Sequence, residues 1–65
     1  MRDPNRLYGF YAELGRIHIK YFPDWRFGQF ISNFNSWIYD HKGVDIFFPE
    51  EDKMLEYIKE FVGEK

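Results

Sequence analysis

Two histidines, a run of three acids, two serines and one polar flank are the groups in this 65-residue chain whose chemistry needs weighing. His18 and His41 raise a metal site. Each falls on an apolar-patterned face near the C-terminal end of its own helical segment. In an antiparallel hairpin those ends lie on the order of 20 Å apart at ~1.5 Å rise per residue. One zinc, at Zn–N distances of about 2 Å, cannot span that gap. Both histidines are therefore expected to be partly buried beside helix C-terminal carbonyls, and no metal is expected. Glu50-Glu51-Asp52 suggests cation binding or acid catalysis, yet successive helical residues point in different directions and no calcium-loop spacing is present. Acids in a first turn complement the helix dipole instead. Ser32 and Ser36 lie mid-helix without a nucleophile elbow or an adjacent base. The expectation is no catalytic residue, no cofactor and no small-molecule substrate.

The polar flank is Arg26, Gln29, Asn33 and Asp40, with Trp37 at its edge. Arg, Gln and Asn are the side chains that read guanine and adenine edges in a major groove, and this segment follows a tight turn, as in a helix-turn-helix. Against that, the flank ends in an acid, and Lys42 is the only other basic residue of its helix. The structural alternative is a hydrogen-bonded polar belt that fixes packing beside an aromatic core.

Tyr8, Ala12, Gly15 and Ile19 recur at i, i+4, i+7 and i+11, a second stripe beside the main apolar face of the first helix. Two small residues in its middle let another helix approach closely. Either the first helix is central and touches both others, or the stripe is a seam for self-association or a protein partner.

The elements that must carry these groups are three helices, expected near 4–21, 25–42 and 49–62, with a linker over 43–48. Asp3 and Pro4 suit N-cap and N1 of the first, whose face is Leu7, Phe10, Tyr11, Leu14, Ile17, His18 and Tyr21; Phe22-Pro23 ends it. Asp24 suits the N-cap of the second, with Phe27, Phe30, Ile31, Phe34, Trp37 and Ile38 facing inward and Gly43 as its left-handed stop. Gly28 in its first turn implies close packing there. Pro49 suits N1 of the third, whose face is Met54, Leu55, Tyr57, Ile58, Phe61 and Val62, followed by a frayed end at 63–65. Ile46, Phe47 and Phe48 are expected to plug the gap between the second and third helices. The fold class is therefore all-α: one compact three-helix bundle over 1–65.

Composition explains how so short a chain builds a core. Eight Phe, five Tyr and two Trp stand in it, with no Cys. Each aromatic buries roughly 150–250 Å², which offsets the small core expected below about 70–80 residues. Absence of Cys excludes disulfides, thiol catalysis and Cys-based zinc sites. With no apolar stretch of about 20 residues and no signal-peptide pattern, no membrane partner is expected and the address is cytoplasmic. Residues 1–33 carry five basic side chains against three acids; residues 34–65 carry four Lys against eight acids. A pI near 5.6 disfavours a phosphate-binding surface.

PDWRFGQFISNF (residues 23–34) followed by DIFFPEEDKMLEYIKEF (residues 45–61) resembles a group of short bacterial and phage-associated helical proteins. They pair an Arg-x-Gly-Gln helix start, here Arg26 to Gln29, with a later aromatic run and an acidic helix start. The resemblance implies a small all-α fold; it carries over no activity and no functional residue. The reading is thus a non-enzymatic protein-interaction module, acting by self-association or partner binding. Its alternative is a small helix-turn-helix-like nucleic-acid binder using helix 25–42. A third option, an acidic inhibitor of a basic partner, rests on the acidic second half alone.

Overall fold

The computed structural model describes residues 3–64. Three helices follow one another: α1 (Arg6–Tyr21), α2 (Phe27–Lys42) and α3 (Glu51–Val62). Each begins two residues later than the pattern suggests, and local hydrogen bonds give the reason. Before α1, Asp3 closes an Asx turn, its Oδ1 accepting the Asn5 N–H at 2.9 Å. The first amides then bond three residues back, to the carbonyls of Asp3, Pro4 and Asn5, so regular helix starts at Arg6. Asp24 does not cap α2. It sits in a turn closed by the Trp25 N–H donating to the Phe22 carbonyl at 3.0 Å, with Pro23 in the position that favours its fixed φ. The N-cap is Arg26, whose own N–H donates to Gln29 Oε1 at 2.9 Å. This is half a capping box, since a guanidinium has no acceptor to return the bond. Pro49 precedes α3, and Glu50 is its N-cap residue.

Both glycine stops use the left-handed region. Gly43 (φ 65°) donates to the Tyr39 carbonyl and ends α2. At the end of α3, Gly63 (φ 79°) donates to Glu60 and Glu64 donates to Lys59, the Schellman pattern. The end of α3 is thus tied down through Glu64 rather than frayed; Lys65 lies outside the described residues.

The core is Leu14 and Ile17 of α1, Phe30, Phe34 and Ile38 of α2, and Ile58 of α3. Helix α2 supplies half of it because its apolar residues recur at strict three- and four-residue spacing. Phe61 joins the layers, its ring centroid 5.6 Å from Phe34, 5.5 Å from Trp37 and 5.8 Å from Phe22. Phe22 in turn stacks on Trp25 at 4.1 Å, which fixes the α1–α2 turn. Helix α3 packs closely on both others, whereas α1 and α2 meet more weakly. Gly28, expected under close packing, is exposed, and a Cβ there would meet nothing within 4 Å. Among the described residues no helix is long and apolar enough to cross a membrane.

Candidate functional site

Helix α1 presents its second stripe outward. Tyr8 is 78% exposed and Ile19 74% exposed, Ala12 is exposed and Gly15 half-buried. A Cβ added at Gly15 would touch nothing within 4 Å, so no neighbour within the chain requires its small size. The reading in which the stripe is internal because α1 is central is overturned by this exposure. Tyr11, assigned by spacing to the inner face, is also largely exposed and edge-on to Phe10 at 5.3 Å.

The α2 flank is exposed throughout: Arg26, Gln29, Asn33 and Asp40 all face solvent, and no buried polar residue occurs among the described ones. The buried belt does not form. Gln29 is engaged in the cap, and Asp40 lines a cleft of about 320 Å³ with Asn35, Ser36, Tyr39, Asp45 and Ile46. Phosphate contact has little to draw on. Arg6 pairs with Glu51, Arg16 with Glu13 and Glu64, Lys20 with Glu64, Lys42 with Glu60, Lys53 with Glu56 and Lys59 with Glu13. Arg26 is the one basic side chain without a carboxylate partner among the described residues.

His18 donates Nε2–H to the Trp25 carbonyl at 2.7 Å and lies 4.8 Å from the Phe30 ring. His41 is exposed rather than partly buried; it donates Nδ1–H to the Trp37 carbonyl at 3.0 Å and stacks on that indole at 5.1 Å. A carbonyl only accepts, so each bond places the proton on the named nitrogen. No group of three His, Cys, Asp or Glu is placed to hold a metal among the described residues. At the start of α3, Asp52 accepts the Lys53 amide at 2.8 Å and Glu51 holds Arg6, so the acids serve the helix end and the α1–α3 seam.

Two features escape a reading of the sequence. The first is the linker. Only Val44 and Ile46 pack on the core, whereas Phe47 is 83% and Phe48 76% exposed. Asp45 turns them out, its Oδ1 accepting the Phe47 N–H at 2.9 Å and its carbonyl the Phe48 N–H at 3.2 Å. The expected plug is thus an outward knuckle, its rings edge-to-face at 5.3 Å. Asp two residues ahead of an aromatic pair is an Asx-turn signature, and that was the available signal.

The second is Glu64, held by Arg16, by the Tyr21 hydroxyl at 2.7 Å and by Lys20 at 3.8 Å. The Arg16 hydrogen bond, then that of Tyr21, pulls its carboxyl down from 4.5 to about 2. The same guanidinium lowers Glu13, and the two acids together raise Arg16. Arg16, Lys20 and Tyr21 share a helix face at near-i+4 spacing, but which acid they meet is decided only by the crossing of α3.

Compared with known proteins, the chain matches no family model, no curated protein and no solved structure.

Proposed function

We propose that the chain is a non-enzymatic protein-interaction module that self-associates through the outer stripe of α1. The observation that supports this is the exposure of Tyr8 and Ile19 on either side of Ala12 and Gly15, on a helix whose other face is already packed. Small residues between large apolar ones admit a second helix at short range. A chain of this size also gains from association, because its surface-to-volume ratio leaves folding marginal. Nucleic-acid binding through α2 has less support, with Gln29 in a cap, Asp40 on the same flank and most cations already paired.

Solution mass by light scattering, measured across protein concentration, tests the reading. The parent is expected to dimerise, and Ile19→Glu to give a monomer whose melting temperature matches that of the parent only at concentrations too low for the dimer, since that side chain is exposed in the monomer and association adds stability by mass action. A parent that stays monomeric at about 1 mM, where even ~4 kcal/mol of association would register, overturns it.

A further inference from the structure

The Phe47–Phe48 knuckle is a second surface, separate from the α1 stripe, and acids predominate in its surroundings. On its N-terminal side Asp40 and Asp45 line the cleft of about 320 Å³ that also contains Tyr39. On its C-terminal side a cleft of about 500 Å³ is lined by Glu50, Glu51, Asp52, Arg6, Phe10 and Leu55. Five acids thus line the clefts before and after the pair in the chain; among the described residues the one basic side chain lining either, Arg6, is bonded to Glu51, and Asp40, Asp45 and Asp52 are the acids set to meet an incoming cation.

Nor is the pair a loose loop. Asp45 fixes the backbone with two hydrogen bonds, Val44 and Ile46 anchor the preceding chain in the core, and Pro49 fixes φ just after. A backbone already ordered before docking loses little further freedom on binding, which favours affinity. An apolar centre with a polar rim is also the usual anatomy of a protein–protein interface, and its strongest contributions come from central aromatic anchors.

We propose that Phe47 and Phe48 dock on the apolar face of a different protein whose rim carries Lys and Arg, with the two acidic clefts receiving those cations. The sign of the charge selects this occupant. A second copy docked end to end would bring Asp40, Asp45 and Asp52 against their own copies, and an anionic bilayer would repel them. Complementary charge adds steering and specificity, so binding weakens as salt rises. This surface is independent of the α1 seam, and Ile19→Glu leaves it intact.

Fluorescence anisotropy with a labelled amphipathic Leu/Lys helical peptide tests it, against a Leu/Glu peptide of the same pattern and zwitterionic vesicles. The parent is expected to bind the Leu/Lys peptide and release it as salt rises, and to ignore the other two probes. Phe47→Ala with Phe48→Ala should weaken binding at least about tenfold, as for a central anchor. Asp40→Asn, Asp45→Asn and Asp52→Asn together should flatten the salt dependence; the amide introduced by Asp45→Asn keeps a carbonyl acceptor that can close the turn. Binding within about twofold of the parent for the double Phe variant overturns the proposal. So does absence of salt-sensitive binding to the Leu/Lys peptide, preference for the vesicles, or a dimer that the double Phe variant dissolves. Melting temperature controls for folding, because both rings are already exposed.

Discussion

Phe34 and Phe47 are the same side chain with opposite surroundings: one is 2% exposed on α2, the other 83% exposed in the linker between α2 and α3. Hydrophobicity is identical, so it cannot be what separates them. What separates them is the backbone. On α2, Phe30, Phe34 and Ile38 repeat at the helical period, and each adds to a face already directed at the core. In the linker no period operates, and Asp45 bends the chain so that Ile46 points in and the next two residues point out. A short chain can therefore be rich in aromatics and still commit only part of them to its core. The remainder stays available for contacts outside the monomer.

Truncation inside the core is the largest test of that contrast. Phe34→Ala is expected to cost about 3–5 kcal/mol, the usual range for a buried aromatic, close to the entire stability of so small a domain. Trp37→Ala should cost less, because the indole is half-buried between His41 and Phe61. Urea midpoints measure both. A Phe34→Ala variant that unfolds with the parent would mean that burial on α2 is not what distinguishes the two phenylalanines.

The core face of α2 is legible in the sequence, since Phe30, Phe34 and Ile38 follow from spacing alone. Phe27 is not, because a residue at the first helical position stands clear of the packed turns and remains 60% exposed. The α1 stripe is legible as a stripe. Whether it lies inside depends on which helix is central, and the docking of α3 decides that. The helix starts fall two residues late because Asp3, Pro23 and Asp24 form turns of their own, which compete with capping for the same residue types. Glu64 is illegible for a different reason: its partners lie more than forty residues away in sequence, and nothing local announces a long-range ion pair.

That clamp supplies a smaller test. Glu64 titrates near 2 when folded and near 4.5 otherwise. A depressed carboxyl contributes stability above its unfolded value and loses it as pH falls through the folded one. Glu64→Gln should therefore be less stable than the parent above about pH 5, with the gap closing as pH falls from about 4.5 towards 2. The gap should also shrink in high salt, because the groups are near the surface. Urea midpoints of the two proteins across pH check it; a gap that persists unchanged at pH 2 would show that the carboxylate charge is not what ties the end of α3 to α1.

Smaller again is Gly28→Ala, in the first turn of α2 at a site open to solvent. Removing the excess freedom of glycine should stabilise by about 0.5–1 kcal/mol. A destabilised variant would mean that the α2 start needs glycine after all, and that the first turn belongs with the linker in being shaped by something other than helical period.

The smallest effect belongs to the linker, and it decides the comparison. Phe47→Ala and Phe48→Ala should each change stability by no more than about 0.5 kcal/mol, as for surface positions. Thermal melts of the purified variants measure this directly. If either cost as much as Phe34→Ala, the outward knuckle would not represent the protein in solution, and the linker would be part of the core. If both are neutral, two exposed aromatics are retained without benefit to the fold. That outcome is the one the proposed docking of the pair on a partner requires.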